Sequence, residues 1–211
     1  MRRPEFIAEQ SRRPSGALGW LIGNIMSHET ESLNSAALAA LELRPDDRVL
    51  EVGFGHGKTI RKAAEIVTGG FVAGVDFSET MLGMARRRCT KFVATGRVRL
   101  ELADSACLPF PDQHFDKAYS VHTLYFWKDP AAHLREIRRV LAPGGRLVLG
   151  LRTNDDGSGA AAFPGAVYTF YGAEAVRELL RASGFADEIV EAAPIAGSGM
   201  VVLIAARDRA R

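Results

Sequence analysis

The chain has 211 residues, of which 47% are hydrophobic and 25% charged, and this composition predicts one globular domain rather than a disordered or fibrous protein. Its 27 basic and 25 acidic side chains give a net charge of +2, which provides no broad electrostatic attraction to nucleic acid or to an anionic membrane. The two cysteines, Cys89 and Cys107, cannot build a disulfide framework or a structural zinc site. We find no signal-peptide pattern and no apolar run near the ~20 residues that span a bilayer, so we expect a cytoplasmic protein with no metal and no membrane span.

The N-terminal region carries helical patterns ahead of the first predicted strand. Residues 1–15 are rich in Arg, Pro and Ser and are expected to form a loose arm. A helix is predicted over 16–26, because apolar residues recur there at helical spacing. These residues are Leu18, Leu21, Ile22, Ile25 and Met26. A second helix is predicted over 35–43, ending before Arg44-Pro45.

From residue 48 onward, predicted strands alternate with predicted helices. Strands are indicated over 48–53, 71–76, 98–104, 115–121, 146–151, 188–192 and 200–205. Helices are indicated over 58–67, after the N-cap candidate Ser78, after the N-cap candidate Asp129, and over 173–183. The helix after Asp129 is expected to end at Pro143-Gly144-Gly145. This alternation predicts an α/β fold with a mostly parallel sheet, in which a ligand lies beyond the carboxyl ends of the strands.

Glycine and acidic residues stand where the first three predicted strands end. The segment Glu51-Val-Gly53-Phe-Gly55-His-Gly57 joins the first strand to a helix, and its glycines allow a tight turn and a close backbone approach to a ligand. Asp76 closes the second strand, where a carboxylate can accept both ribose hydroxyls. Asp104 closes the third strand, where it can accept a hydrogen bond from an adenine amine. The third glycine of a dinucleotide fingerprint would fall on Lys58, so the pattern indicates a nucleoside site of another kind.

Four segments, in this order, resemble the class I S-adenosylmethionine-dependent methyltransferases, particularly those similar to ubiquinone and menaquinone biosynthesis methyltransferases. They are Val49–Gly57, Val75–Leu82, Asp104–Asp112 and Arg139–Leu147. The resemblance implies a Rossmann-like three-layer α/β sandwich with a seven-stranded sheet of order 3-2-1-4-5-7-6, strand 7 antiparallel, and N-terminal helices. It also implies S-adenosylmethionine as cofactor and in-line transfer of its methyl group to an acceptor.

The resemblance assigns cofactor contacts residue by residue. Glu51 would lie near the ammonium group, Asp76 would hold the ribose, and Asp104 would read the adenine edge. Phe77 and Met81 would pack against the adenine, with ordinary core packing as the alternative. The full set of implied cofactor residues is Glu51, Gly53, Phe54, Gly55, Asp76, Phe77, Met81, Asp104, Ser105, Ala106 and Ser120.

The methyl acceptor is expected at the loop after the fourth strand. His122 is a candidate general base there, with a packing or orienting role as the alternative. Tyr125 and Trp127 are candidates for an apolar substrate pocket. His28 is a second catalytic candidate, and Trp20 a further substrate contact, if the N-terminal helix closes this pocket.

Two domain segments follow from these assignments. Residues 1–44 are expected to form an arm and helices that cap the acceptor site, the alternative being that they only cover one face of the sheet. Residues 45–211 are expected to form the methyltransferase domain.

The acceptor class is narrowed by motifs that the sequence lacks. The loop after the fourth strand has neither the Asn/Asp-Pro-Pro-Tyr pattern of base-amine methyltransferases nor the paired glutamates of protein-arginine enzymes. We therefore expect a small-molecule acceptor, no nucleic-acid partner, and a monomer or homodimer. The alternatives are a non-catalytic S-adenosylmethionine-binding module and a nicotinamide-dependent oxidoreductase, and Lys58 argues against the latter.

Overall fold

A computed structural model describes residues 3–16, 18–19, 21–22, 30–186, 189–195 and 199–208. Within these ranges seven strands form one sheet in the order β3-β2-β1-β4-β5-β7-β6, which confirms the predicted topology. β1 to β5 pair in parallel, and β7 runs antiparallel to β5 and β6. The strands are β1 Arg48–Val52, β2 Phe71–Asp76, β3 Val98–Leu102, β4 Phe115–Val121, β5 Leu141–Arg152, β6 Val190–Ile195 and β7 Met200–Ala206.

Helices cover both faces of the sheet, as in a three-layer sandwich. They are α1 Glu5–Arg12, α2 Glu31–Leu41, α3 Lys58–Ile66, α4 Glu79–Arg88, α5 Thr90–Ala94, α6 Pro130–Val140, α7 Ser158–Ala162 and α8 Ala173–Ala182, and a 3-10 turn spans Leu124–Phe126. Residues of α2, α3 and α4 share a core with Val49, whereas residues of α6 and α8 share the other core with Leu50. Since successive side chains of a strand point to opposite faces, the apolar run of β1 serves both cores. No helix in the described ranges is long and apolar enough to cross a membrane.

Two predicted N-caps begin helices at the edge where parallel strands end. Ser78 Oγ accepts a hydrogen bond from the backbone N–H of Met81 at the start of α4. The Asp129 carboxylate accepts one from Ala132 at the start of α6. Each cap satisfies an N–H group that the first helical turn leaves unpaired. The caps therefore fix where α4 and α6 begin, and this positions the residues that connect β2 to α4 and β4 to α6.

The expectation of a loose arm over residues 1–15 is wrong, because residues 5–12 form α1. Ala8 and Ser11 on this helix are buried. The backbone N–H of Arg3 donates to the carbonyl of Ala162 at 2.8 Å. Tertiary contacts thus stabilise a short helix whose composition does not predict it.

The predicted apolar stripe on the next helix is only partly observed. Leu18, Gly19, Leu21 and Ile22 have helical backbone, and Ile22 is buried. An apolar stripe on a helix is expected to be buried, but Leu18 and Leu21 are 46% and 50% exposed. Ile25 and Met26 lie outside the described residues.

Several helices and strands begin or end at other residues than predicted, because distant segments of the chain pair there. α6 ends at Val140, and Pro143-Gly144-Gly145 lies inside β5 rather than ending the helix. The backbone of Gly144 and Gly145 is hydrogen-bonded to Arg207, which extends the strand. β3 ends at Leu102, so the prediction that Asp104 closes it is wrong. The predicted helix over 35–43 begins four residues earlier as α2, and the strand predicted over 188–192 is β6, with residue 188 outside the described ranges.

Candidate active site

A cavity of about 750 Å³ lies at the carboxyl ends of the central strands, the edge where the sequence predicts the ligand. Its wall includes the glycine loop after β1, Asp76 and Phe77 after β2, and residues 121–123 after β4. Residues 11–14, together with Glu9, Thr30 and Asn34, line it from the N-terminal region. Cavities of this size commonly hold small ligands.

Two glycines of the loop after β1 serve different purposes. Gly53 has φ of +79°, and a Cβ there would stand 2.3 Å from Thr123 Cγ2, so the loop after β4 packs directly against it. Gly55 has φ of +52°, and a Cβ there would meet no atom within 4 Å. Gly55 therefore presents bare backbone to the open cavity, as a close ligand contact requires.

Asp76 ties the glycine loop to the start of α4. Its Oδ2 accepts a hydrogen bond from the backbone N–H of Gly55 at 2.9 Å, and its Oδ1 accepts one from Ser78 at 2.9 Å. Burial raises the pKa of Asp76, whereas the backbone hydrogen bonds lower it. Asp76 also lines the cavity, so it holds the loop and faces a ligand at the same time.

Glu51 and Tyr119 form a buried polar pair at the wall of the cavity. They are direct neighbours across β1 and β4, so both side chains lie on the same face of the sheet. The Tyr119 hydroxyl donates to Glu51 Oε2 at 2.7 Å. Burial raises the pKa of Glu51 to about 8, the hydrogen bond from Tyr119 lowers it, and the nearby charge of Asp76 raises it. Glu51 lines the cavity, so β1 also contributes a carboxyl group to it.

A ring stack forms part of the wall beyond β3. The rings of Trp127 and His133 are nearly parallel, with centroids 4.7 Å apart, and both residues line the cavity. His133 Nδ1 lies 2.7 Å from Ser105 Oγ and 3.7 Å from Asp104 Oδ1. Burial lowers the pKa of His133, whereas the charges of Asp104 and Asp129 raise it. The stack holds Ser105 in place, while the Asp104 side chain is 72% exposed.

His122 follows β4 with an unusual backbone conformation. Its φ of +59° lies in the left-handed region, which residues other than glycine rarely adopt. His122 Nδ1 lies 3.0 Å from the hydroxyl of Tyr125, which also accepts a hydrogen bond from the backbone N–H of Arg152. Burial, together with the smaller effect of the Arg152 charge, lowers the pKa of His122 to about 4. The ring is therefore neutral at pH 7 and lines the cavity.

The N-terminal segment is anchored beside the cavity. Ser78 Oγ donates a hydrogen bond to the Pro14 carbonyl at 2.6 Å, and the Arg13 guanidinium lies 5.9 Å from the centroid of the Phe77 ring. At the other end of α1, the Arg3 guanidinium lies 4.9 Å from the centroid of the Phe163 ring. α1 thus connects the region after α7 with the start of α4, and the residues at its C-terminal end line the cavity.

Known proteins with similar sequences share this site-bearing segment. A family model described as a methyltransferase domain matches residues 50–149. An uncharacterised methyltransferase of Bacillus subtilis (strain 168), YdaC, is 30% identical over 167 residues, which are 79% of this chain and 87% of that protein. The chain belongs to the class I S-adenosylmethionine-dependent methyltransferases.

Two further matches are informative about this methyltransferase. The ubiquinone/menaquinone biosynthesis C-methyltransferase UbiE of Ectopseudomonas mendocina (strain ymp) is 40% identical over 112 residues, 51% of this chain and 42% of that protein. The apo crystal structure of the S-adenosylmethionine-dependent methyltransferase SibL shares the fold, with a TM-score of 0.74 at 24% identity, over 92% of this chain and 60% of that one. The methyltransferase spans less than half the length of several curated relatives that it matches.

The cavity fits S-adenosylmethionine, the cofactor of this family. The open backbone at Gly55 allows close contact, and the carboxyl groups of Glu51 and Asp76 can accept hydrogen bonds from ammonium and hydroxyl groups. The apolar side chains of Phe77 and Met81 line the same cavity. These are the groups that an amino acid joined to a nucleoside requires.

Three described residues that are predicted in the site do not line the cavity. The Ser120 hydroxyl donates to the Val52 carbonyl at 2.9 Å and is hydrogen-bonded to Thr123, so it packs the strand ends together. The Ala106 N–H donates to the carboxylate of its own turn, that of Asp104. Tyr125 is buried among aromatic rings and its hydroxyl lies against His122 Nδ1, and its predicted place in the substrate pocket stays a prediction.

Trp20 and His28, the predicted substrate contact and second catalytic residue, lie outside the described residues. Phe54 is buried in the core and also lines the cavity. Trp127 and Ser105 line the cavity as well. His56 in the glycine loop also lines the cavity.

Sequence reasoning missed Tyr119, Thr123 and His133. Tyr119 and Thr123 contact residues that are far away in the chain, namely Glu51 and Gly53, whereas His133 stacks on the nearby Trp127. A tyrosine inside a buried strand signals that its hydroxyl has a partner, but it does not say which one.

We expect Asp76→Ala to weaken binding of S-adenosylhomocysteine, the demethylated cofactor, by about 10- to 100-fold, because charge-assisted hydrogen bonds are lost. The variant also leaves the N–H groups of Gly55 and Ser78 without their acceptor. We therefore expect its free energy of unfolding to fall by about 1–3 kcal/mol. Titration calorimetry and denaturant unfolding measure the two effects.

Asp116→Ala is the matched control for this variant. Asp116 also accepts a backbone hydrogen bond, from Arg48 at 2.8 Å, but it stands at the opposite ends of the strands. We expect it to lose stability and keep its affinity. An unchanged dissociation constant in Asp76→Ala would contradict the assigned contact.

Proposed function

We propose that this methyltransferase methylates a small organic molecule held beside His122. The observation that carries the proposal is the composition of the cavity wall after β4, where His122 stands with Phe126 and Trp127. This wall combines the apolar side chains of Val121, Phe126 and Trp127 with the polar side chains of His122, Thr123 and Lys128, and such a mixture suits a small organic acceptor. The UbiE relative is named a C-methyltransferase of ubiquinone/menaquinone biosynthesis, which supports an acceptor of this class.

The cofactor would be held by the ends of three neighbouring strands. Glu51 would accept its ammonium group, Asp76 its ribose hydroxyls, and the Asp104–Ser105 turn would contact the adenine edge. The remaining contacts would come from Gly53, Phe54, Gly55, Phe77 and Met81. Bound S-adenosylmethionine supplies a methyl group on a positively charged sulfur, which an acceptor atom held in line at about 3–3.5 Å can take.

His122 is the residue that we assign to the acceptor. If the acceptor is a hydroxyl or an acidic carbon, the neutral ring takes its proton as the new bond to carbon forms. Tyr125 engages Nδ1, which leaves Nε2 for the acceptor when Nδ1 carries the hydrogen. An amine or thiolate acceptor needs no base, and His122 would then orient it.

The N-terminal region would close the acceptor side of the cavity. Glu9 and residues 11–14 line the cavity, and Pro14 is hydrogen-bonded to Ser78. α2 packs on the sheet against β4, β5 and β7 and reaches the cavity wall through Asn34, so the proposed cap is formed mainly by α1 and the residues directly after it. Such a cap excludes water from the transfer site.

Removal of residues 1–28 is expected to lower acceptor methylation at least tenfold, because the cap no longer excludes water. Binding of S-adenosylhomocysteine should change by less than about threefold, since the strand-end contacts remain. Steady-state kinetics and titration calorimetry measure both.

Phe6→Ala is the control for this removal. Phe6 is 62% exposed on α1, so this change alters the helix without changing the cavity wall. We expect parental kinetics. If the shortened chain methylates its acceptor with unchanged kinetics, the N-terminal region is only a cover for the sheet.

A panel of small hydroxyl, amine, thiol and activated-carbon compounds, assayed by release of S-adenosylhomocysteine, tests the proposed function. Asp76→Ala serves as the blank. Turnover with a member of the panel or with a fractionated metabolite extract supports the proposal. Tight cofactor binding without turnover on any of these would instead identify a non-catalytic binding module. The cytoplasmic location and the monomeric or homodimeric state stay predictions.

A further inference from the structure

A ligand contact alone does not explain why the Glu51 carboxyl group is buried with Tyr119 and without a cation. Glu51 is 4% exposed, and among the described residues no lysine or arginine forms an ion pair with it. Its Oε2 accepts the Tyr119 hydroxyl, and that is the hydrogen bond which the described part of the chain provides for this carboxyl group. A buried carboxylate without a cation is unfavourable, so the group favours its neutral form until a cation arrives.

We propose that Tyr119 is a positioning residue for the cofactor and that cofactor binding releases a proton from Glu51. The Tyr119 hydroxyl holds Oε2, so the acid proton resides on Oε1, the oxygen left for a ligand in the cavity. As the ammonium group of the cofactor pairs with Glu51, this proton passes to solvent and no other bond changes. The inference rests on the proposed contact between Glu51 and the ammonium group.

The charged and titratable groups around Glu51 agree with this exchange. Burial raises the pKa of Glu51 to about 8. This value includes a smaller raising effect of Asp76 at the end of β2 and the lowering effect of the hydrogen bond from Tyr119 on β4. The pKa of Tyr119 is raised well above its usual value by burial, so its hydroxyl stays a donor. Burial raises the pKa of Cys89, after α4, to about 11, so this thiol brings no charge to the pair near neutral pH.

The direction of the pH dependence follows from these groups. Because its pKa is raised to about 8 in the free protein, Glu51 is mostly protonated at pH 7, and a bound cation lowers this pKa. Binding at pH 7 should therefore release about one proton. Affinity should rise by up to about tenfold per pH unit between pH 6 and pH 8, and should level off above about pH 8.

Titration calorimetry of the full chain with S-adenosylhomocysteine tests the proton release. The binding heat at pH 7 is compared in phosphate and in Tris, because protons released to these buffers give different heats. We expect about one proton for S-adenosylhomocysteine and none for 5′-methylthioadenosine, which lacks the ammonium group. Glu51→Gln should release none and should bind with a flat pH profile. Since the pKa of Asp76 is also raised, a release that persists in Glu51→Gln would come from Asp76 and overturn the proposal.

Tyr119→Phe tests the positioning role with the ring retained. Loss of its hydrogen bond should weaken S-adenosylhomocysteine binding about tenfold at pH 7 and move the plateau of the pH profile above pH 8. Tyr168→Phe, a buried tyrosine outside the cavity wall, should keep the parental profile. A parental profile in Tyr119→Phe overturns the positioning role. S-adenosylhomocysteine binding without proton release overturns this inference alone, whereas absence of binding overturns the cofactor site as well.

Discussion

Gly55→Val is expected to lower the affinity for S-adenosylhomocysteine by more than about 100-fold. At this position a Cβ meets no protein atom within 4 Å, because it would point into the open cavity. A branched side chain there fills space that the cofactor needs for its contact with the loop backbone. Titration calorimetry on the purified variant measures the loss directly.

Gly96→Val separates this steric effect from backbone strain. Gly96 also has a left-handed φ, +72°, with no atom within 4 Å of its ideal Cβ, but it lies in the turn before β3 and outside the cavity wall. Both variants should lose about 1–2 kcal/mol of stability from the left-handed conformation. Only Gly55→Val should lose affinity, and parental affinity in that variant would show that the cofactor lies elsewhere.

His122→Asn is expected to lower kcat by about 10²- to 10⁴-fold with an acceptor that must lose a proton. Asparagine is the suitable replacement, because it tolerates the left-handed backbone of His122, whereas most residues do not. Binding of S-adenosylhomocysteine should stay within about threefold of the parent, since His122 is assigned to the acceptor. Single-turnover rates and calorimetry separate the two effects.

The pH dependence of the parent enzyme checks the same assignment. Because the pKa of His122 is lowered to about 4, the ring stays neutral and able to accept a proton as pH falls from 8 to 5. The His122-dependent part of kcat should be flat over this range and should fall only as pH approaches 4. Tyr125→Phe, which removes the hydroxyl facing Nδ1, should give a smaller loss than His122→Asn. Equal rates for the parent and His122→Asn would return His122 to a packing role.

The sheet could be predicted because its signals are local. β2 and β4 match their predicted bounds, since continuous apolar runs flanked by turn residues identify buried parallel strands. Ser78 and Asp129 cap their helices as predicted, because a cap depends on residues only three positions apart. The strand order itself followed from the family resemblance, and the structure confirms it.

The wrong predictions share a cause in long-range contact. α1 forms although its composition is that of a loose arm, because Arg3 pairs with Ala162 and Pro14 with Ser78. β5 begins at Leu141 because the segment that follows pairs with the C-terminal strand region, including Arg207. No window of neighbouring residues contains this information.

By itself the sequence determined the class of fold and the cofactor edge of the site. The glycine loop and Asp76 are parts of short continuous segments. The chemistry of such a segment can be inferred from its residues without knowledge of the tertiary structure. Only the tertiary structure decided that Tyr119 holds Glu51, that Thr123 packs on Gly53, and that Ser120 and Tyr125 are not part of the cavity wall. Glu51 and Tyr119 are 68 residues apart in the chain, and they become neighbours only through the register in which β1 and β4 pair. Register is set by the packing of the whole sheet, because a slip of one residue would move every side chain of a strand to the other face.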